Sequence, residues 1–139
     1  MSGEGAERGA RASAGGVGAR VIAGSRVVDT AAAVWRAFDE APGVTYKVLS
    51  KTEGGSLTLL LKFEPGASYP THTHPKGEEY FVLSGTLEDL GESFGPGAYI
   101  HHPPGSTHTP RSKHGCEVLI FLPAGVGLRG PRARRGYGA

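Results

Sequence analysis

The chain has 139 residues, enough for one domain with a substantial core. Residues 21–127 carry eleven acidic and eight basic residues, so the net charge of +2 comes from arginines near the two ends. The central region has no basic stripe interleaved with aromatic residues, which argues against nucleic-acid binding as the main role. No apolar run approaches the roughly 20 residues of a membrane span.

The two ends are expected to be disordered, because neither offers a sustained apolar face. Residues 1–20 are mostly Gly, Ala, Ser, Glu and Arg, and residues 127–139 form an Arg-rich tail. We interpret the tail as a solvated terminus, with a contact to RNA, DNA or an acidic surface as the open alternative. Residues 21–126 then form one domain. The single cysteine, Cys116, and the lack of a secretory signal favour a cytoplasmic location.

In chain order, the predicted elements are one short helix and then a series of strands. The helix is predicted at Thr30–Glu40, before Pro42, and a strand at Val21–Val28 precedes it. Short β-type runs separated by turn residues favour an all-β sandwich or barrel. These runs are Val44–Leu49, Ser56–Phe63, Glu79–Leu83, Thr86–Leu90, Gly97–His101 and Cys116–Leu122.

Five of the six histidines lie between His72 and His108, and their spacing predicts a metal site. Residues i and i+2 of a strand point to one face, so His72 and His74 would project together. Glu78 has the same parity and follows a Pro-Lys-Gly turn, and a barrel could bring His108 opposite. Three imidazoles and one carboxylate suit one divalent ion, Fe2+ or Zn2+ first, with Mn2+, Ni2+ or Cu2+ as alternatives.

The spacing also resembles the two sequence motifs of the cupin family. The first motif, G-x5-H-x-H-x3-E-x6-G, is met from Gly66 to Gly85. The second, G-x5-P-x-G-x2-H-x3-N, is met from Gly97 to His108 and departs only at Ser112, which replaces an Asn. The resemblance implies a jelly-roll β-barrel that binds a metal through His72, His74, Glu78 and His108. Since cupin motifs also allow x4 before the acid, Glu79 is the alternative ligand.

A closer resemblance covers residues 44–122, in the run HTHPKGEEYFVLSGTLED and FGPGAYIHHPPGSTHTPRSKHGC. This run is similar to the cupin subgroup named after the C-terminal domain of ChrR-type anti-sigma factors. That subgroup also includes small non-haem dioxygenases acting on acetylacetone or dihydroxyacetophenone. The resemblance implies a homodimer. The anti-sigma factors also have an N-terminal domain that binds zinc through His and Cys. A direct anti-sigma role is disfavoured, because no His or Cys precedes His72 in this sequence.

Three further residues are candidates for binding a substrate. Tyr80 shares the parity of Glu78 and offers a polar tip to the cavity, although packing in the core is the alternative. His102, or its neighbour His101, could orient a substrate at the pocket mouth, with surface placement as the alternative. Arg111 could hold a carboxylate, or simply be solvated.

Three functions remain open at this point. The first is an Fe2+-dependent dioxygenase acting on a small carbonyl compound, with the metal as Lewis acid and electron conduit. The second is a non-enzymatic zinc-binding module that senses or holds a small-molecule ligand. The third is a metal-dependent isomerase or sugar-binding cupin, for which only the fold argues.

Overall fold

The computed structural model describes residues 18–125. The ends predicted to be disordered, residues 1–20 and 127–139, lie outside the described range except for residues 18–20. The described strands, in chain order, are β1 (Ala19–Ile22), β2 (Ser25–Val28), β3 (Arg36–Ala37), β4 (Val44–Lys51), β5 (Leu57–Phe63), β6 (Ala67–Ser68), β7 (His72–His74), β8 (Glu78–Gly85), β9 (Leu87–Asp89), β10 (Glu92–Phe94), β11 (Tyr99–His102), β12 (Ser106–His108), β13 (Arg111–Ser112) and β14 (Cys116–Leu122).

The chain divides after Trp35 into two compact units. In the first unit, β1 and β2 pair as an antiparallel hairpin. The two residues between them, Ala23 and Gly24, both have positive φ, as a tight two-residue hairpin turn requires. The single strand predicted at Val21–Val28 is therefore two strands with a turn between them.

The second unit is built from three antiparallel sheets. A six-stranded sheet has the order β11-β8-β14-β5-β4-β3, a four-stranded sheet the order β10-β9-β13-β6, and β12 pairs with β7. The inner face of the six-stranded sheet supplies most of the hydrophobic core, with further side chains from β6 and β9. The core residues are Phe38, Ala41, Val44, Tyr46, Leu57, Leu59, Leu61, Phe63, Ala67, Tyr69, Tyr80, Val82, Leu87, Cys116, Val118, Ile120 and Leu122.

The predicted all-β class and jelly-roll type are confirmed, but two details differ. Within residues 18–125, the sheets do not join into the closed barrel that the sequence predicts: β11 and β3 are the edge strands of the six-stranded sheet. A jelly roll is made of separate sheets packed face to face, so its core does not require closure.

The helix predicted at Thr30–Glu40 is the second difference, since the described residues contain no helix. A turn does start there: the Asp29 carboxylate accepts a hydrogen bond from the Ala31 N–H at 3.2 Å, and the Asp29 carbonyl accepts one from the Ala32 N–H. This turn does not continue into a helix, because a helix of about eleven residues is only marginally stable unless one of its faces packs against other residues. Instead, Arg36–Ala37 pairs with β4. Among the described residues there is also no long apolar helix of the kind that would traverse a lipid bilayer.

Candidate metal centre

Strands β7 and β12 bring the two distant histidine segments together. They pair antiparallel with His72 opposite His108 and His74 opposite Ser106. His72 and His74 are both buried on the inner face, as the strand parity predicts. Thr73 points the other way, and its hydroxyl hydrogen-bonds that of Thr107 at 2.7 Å. The pairing of two short strands therefore explains how residues 34 to 36 positions apart in the chain become neighbours.

A tight turn then returns the chain from β7 to the first residue of β8, which is Glu78. The carbonyl of His74 accepts hydrogen bonds from the N–H of Gly77 at 3.1 Å and from the N–H of Gly105 at 2.8 Å. Gly77 has φ of +84°, and a Cβ there would lie 2.6 Å from the carbonyl oxygen of His102. This position consequently needs glycine for both its conformation and its close backbone approach.

Four ligand atoms converge at this point. The Nε2 atom of His108 lies 3.0 Å from that of His72 and 3.1 Å from that of His74. The Glu78 carboxylate lies 3.2 Å from His74 Nε2 and 3.4 Å from His108 Nε2. All four residues are buried, and their ligand atoms are close enough together to hold one metal ion.

Hydrogen bonds made by the Nδ1 atoms of two histidine rings orient the Nε2 atoms of these rings inwards. His72 Nδ1 lies 2.7 Å from the carbonyl oxygen of Pro70, which can only accept, so the neutral ring donates from Nδ1 and keeps a lone pair on Nε2. His108 Nδ1 lies 2.9 Å from the carboxylate of Asp89, so a neutral His108 also donates from Nδ1 and keeps its lone pair on Nε2. Burial and the neighbouring His108 lower the pKa of His72 from 6.5 to about 4, so that ring is neutral near pH 7.

This arrangement fits a divalent cation. Two imidazole lone pairs face each other at 3.0 Å, which is unfavourable unless a positive charge lies between them. Glu78 Oε1 is buried and has no hydrogen-bond partner among the described residues. Burial alone would raise the pKa of Glu78, but the hydrogen bond from His74 and the other imidazoles hold it below its ordinary value, so the carboxylate is anionic. Three neutral imidazoles and one carboxylate are ordinary ligands for Fe2+ or Zn2+.

The four ligands line a cavity of about 50 Å³ whose other lining residues are mainly apolar. The aromatic rings of Phe38 and Tyr69 pack edge to face at 5.1 Å, and Tyr69 packs against His72 at the same distance. The Tyr69 hydroxyl donates to Glu40 at 2.8 Å. The other lining residues are Leu59, Leu61, Phe63, Tyr80, Leu87, Pro110, Val118, Ile120 and Leu122.

The three substrate-binding candidates differ in their burial and in whether they line the cavity. Tyr80 lines the cavity, but its hydroxyl donates to Asp89 at 2.6 Å. His102 is buried rather than at a mouth, and its Nε2 lies 3.0 Å from the same carboxylate. Arg111 is exposed on β13 and is not among the residues that line the cavity. Ser112, at the position where the motif departs from Asn, is fully buried and donates to the carbonyl of Thr86 at 2.6 Å.

Glu78 and Glu79 lie on opposite faces of β8. Glu78 is buried next to the three imidazoles, whereas Glu79 is partly exposed and accepts a hydrogen bond from the exposed Tyr99 hydroxyl. The parity argument that favoured Glu78 over Glu79 therefore agrees with the structure.

Two residues near the centre were not anticipated. Asp89 is buried at the end of β9 and contacts His108 directly. The sequence does contain a signal for its burial, because Asp89 is two positions from Leu87 in a strand whose alternate side chains are buried. Tyr69 precedes the first motif histidine by three positions and carried no comparable signal, since it follows the two-residue strand β6.

Comparison with known proteins assigns the family. Residues 23–125 match the ChrR cupin-like domain family. The chain belongs to this family. The match covers both motifs and all four candidate ligands of this ChrR-like cupin.

Individual relatives agree on the fold and differ in their functions. Over 71 residues the ChrR-like cupin is 39% identical to the dimethylsulfoniopropionate lyase DddQ of Ruegeria pomeroyi. That match covers 43% of this chain and 35% of the lyase, so it spans about a third of the curated relative.

Two solved structures are similar over most of the chain. An acetylacetone dioxygenase from Acinetobacter johnsonii superposes with a TM-score of 0.59 at 21% identity, over 63% of this chain and 66% of the dioxygenase. The anti-sigma factor ChrR, in complex with SigE from Rhodobacter sphaeroides, superposes with a TM-score of 0.59 at 27% identity, over 68% of this chain and 50% of ChrR. These likenesses establish the cupin fold.

Proposed function

We propose that the chain is a mononuclear non-haem Fe2+ dioxygenase acting on a small, mainly apolar carbonyl compound. The observation that carries this proposal is that the four converging ligand residues line a cavity whose other walls are mainly apolar. A site that served only to stabilise the fold would be closed by protein on all sides, whereas catalytic metal sites open onto a substrate cavity.

His72, His74, Glu78 and His108 would hold the ion. A bound Fe2+ would supply Lewis acidity for a carbonyl oxygen and a redox centre for O2. The protein contributes rigid placement: His72 is held by Pro70, and His108 by Asp89. Fixed rings lower the cost of organising the site.

The walls of the cavity support the proposed substrate class. They are aliphatic and aromatic, and no Lys or Arg of the described residues lines them, so a free anionic group far from the metal would be unpaired. The hydroxyls of Tyr69 and Tyr80 are already engaged with carboxylates. A β-diketone or hydroxyketone with small alkyl groups suits this environment, because its oxygens can face the four polar ligands and its alkyl groups the apolar side chains.

The test is oxygen uptake by purified protein reconstituted with Fe2+ in the absence of air. We expect O2 consumption that matches the loss of acetylacetone or of a small hydroxyketone. His108→Ala should abolish it, and the exposed His114→Ala should not change it. If the wild type binds iron and consumes no oxygen with any member of a broad carbonyl panel, the dioxygenase proposal is wrong.

A lyase is the second candidate, favoured by the 39% identity to the dimethylsulfoniopropionate lyase. Cleavage of that substrate needs no oxidant, so an anaerobic assay separates the two reactions. Release of dimethyl sulfide without O2, by protein loaded in turn with Fe2+, Zn2+, Mn2+ and Ni2+, would establish the lyase. The zinc-binding sensing module is the outcome if the protein purifies with zinc, binds small carbonyl compounds and turns over no substrate.

We also propose a homodimer, formed through an exposed apolar face of the six-stranded sheet. This face carries Phe81, Leu83, Tyr99 and Phe121, which are 38–58% exposed. Phe81 lies opposite Tyr99 on β11, so these side chains are neighbours. Contiguous apolar surface of this kind is typical of protein interfaces. Leu83→Lys should shift the mass measured by light scattering from dimer to monomer, and an unshifted dimer would place the interface elsewhere.

Residues 21–126 are proposed as the cupin domain. These bounds enclose the family match at residues 23–125. Limited proteolysis followed by mass spectrometry should leave a fragment close to these bounds. Protection of residues 127–139 would contradict them.

A further inference from the structure

Asp89 is a buried carboxylate that contacts one of the candidate ligands directly. It ends β9 and is 4% exposed. Its Oδ2 atom lies 2.9 Å from His108 Nδ1, 3.0 Å from His102 Nε2 and 2.6 Å from the Tyr80 hydroxyl, which donates to it. Its Oδ1 atom accepts the N–H of Leu90 at 3.0 Å. Four donors therefore converge on one carboxylate.

These contacts argue against a second ion next to the first. Asp89, His102 and His108 are close enough together to be considered as a metal site. However, the atoms that face one another are 2.9 to 3.0 Å apart, which is the length of a direct hydrogen bond. Ordinary hydrogen bonds account for these atoms completely, and the site needs no cation.

The contact to His108 has a consequence for the other side of its ring. A carboxylate accepts and does not donate, so a neutral His108 must carry its proton on Nδ1. The lone pair is then on Nε2, the atom that faces His72 and His74. If Asp89 were absent, nothing in these contacts would prevent the other tautomer, in which an N–H would point at the metal position.

We propose that Asp89 is a positioning residue that fixes the tautomer and the ring orientation of His108 for metal binding. This inference rests on the proposed metal centre. A carboxylate behind a metal-binding histidine increases the basicity of the ligand and holds its ring, and loss of such a partner typically costs 10- to 100-fold in metal affinity.

Tyr80 and His102 act through the same carboxylate. Tyr80 lies on β8 and His102 on β11, two strands paired so that His102 is opposite Glu78. Both direct a donor to Asp89 Oδ2, so they hold it in the orientation that His108 requires. The sequence offers both residues as candidates for binding a substrate, and their contacts to Asp89 give them a role in supporting a ligand.

The test compares Asp89→Asn with the exposed Asp39→Asn in the full chain. An amide has one acceptor oxygen and one NH2 group, so it cannot accept from all four donors. We expect Co2+ affinity, measured by competition with a chelator, to fall 10- to 100-fold in Asp89→Asn and to stay unchanged in Asp39→Asn. The visible spectrum of bound Co2+ should also change in the first variant only. Long-range 1H–15N spectra of the metal-free protein should show His108 protonated on Nδ1 in the wild type and partly on Nε2 in Asp89→Asn.

Tyr80→Phe is the second variant, because it removes one hydrogen bond to Asp89 while the ring remains in the core. We expect a loss of Co2+ affinity of about threefold to tenfold, smaller than that of Asp89→Asn. If Asp89→Asn does not fold, as judged by circular dichroism, Tyr80→Phe decides alone: weaker binding supports the inference and unchanged binding overturns it.

The wild type is measured first, so that two failures can be told apart. If the wild type binds no divalent ion, the proposed function fails, and this inference fails with it. If the wild type binds Co2+ and both variants match its affinity and spectrum, only the role of Asp89 is overturned.

Discussion

The two faces of strand β8 differ in burial, and the difference is the reverse of what the polarity of several of its side chains would suggest. Its inner face carries Glu78, Tyr80 and Val82, all buried. Its outer face carries Glu79, Phe81 and Leu83, of which the two apolar side chains are 41% and 44% exposed. Hydrophobicity alone would have placed Phe81 and Leu83 inside and Glu78 outside.

The orientation of the strand follows from what the neighbouring segments offer. On the inner face, Glu78 meets imidazoles and Tyr80 meets Asp89, so burial leaves their charged and polar atoms compensated. On the outer face, Phe81 lies between Tyr99 and Leu119 on the adjacent strands. A strand with candidate metal ligands on one face and exposed apolar side chains on the other fits the proposed site on one side and the proposed protein contact on the other.

The largest expected difference between the faces is in metal affinity. Glu78→Gln removes the charged ligand and should weaken Fe2+ or Zn2+ binding on the order of 100-fold, because an amide oxygen lacks the negative charge that favours a divalent cation. Glu79→Gln changes the same atoms on the opposite face and should leave the affinity unchanged. Isothermal titration or chelator competition measures both. Equal losses would mean that the faces are not distinct, and a loss in Glu79→Gln alone would make Glu79 the ligand.

The second difference is in stability. Val82 is fully buried and Leu83 is 44% exposed, so truncation to alanine should affect them unequally. Val82→Ala should lower the free energy of unfolding by about 2 kcal/mol, from lost burial and the cavity that remains. Leu83→Ala should change it by less than about 0.5 kcal/mol in the monomer. Urea denaturation of dilute protein measures both, and a costly Leu83→Ala would show that the outer face is covered in the monomer.

The sequence predicted which side chains converge at the candidate metal centre, because their positions depend largely on local rules. The parity of His72 and His74 follows from strand geometry, and the turn before Glu78 follows from its glycine. The approach of His108 needed the pairing of β7 with β12, which the family resemblance supplied rather than any local pattern.

The differences have a common physical cause, since each depends on a partner in another strand. Residues 30–40 have a helical composition, but Arg36–Ala37 pairs with β4 instead. His102 precedes two prolines, a context typical of an exposed turn, and is buried because Asp89 lies opposite its ring. Asp89 is absent from the sequence-based candidates, because an aspartate without a visible partner is usually exposed, although its position in the strand matches that of the buried Leu87.

The smallest expected effect concerns the inner face alone and is the change of stability with pH. Burial and the neighbouring His108 lower the pKa of His72 to about 4 in the folded metal-free protein, whereas it is near 6.5 in the unfolded chain. Between these values the unfolded chain binds a proton that the folded protein does not, so acidification favours unfolding. Going from about pH 7 to about pH 5.5, His72 should cost about 1 kcal/mol of stability.

His102 changes the pH dependence of stability in the opposite direction, so its effect must be separated from that of His72. Its hydrogen bond to Asp89 raises its pKa, so its contribution is complete in mild acid and is lost as the pH rises through the folded-state value. Comparison of wild type with His72→Gln, both treated with chelator, cancels this term because His102 is present in each. The stability of the wild type relative to His72→Gln should fall by about 1 kcal/mol between the two pH values, measured by urea denaturation. If the pH profile of His72→Gln runs parallel to that of the wild type, His72 is not held neutral by the ring cluster.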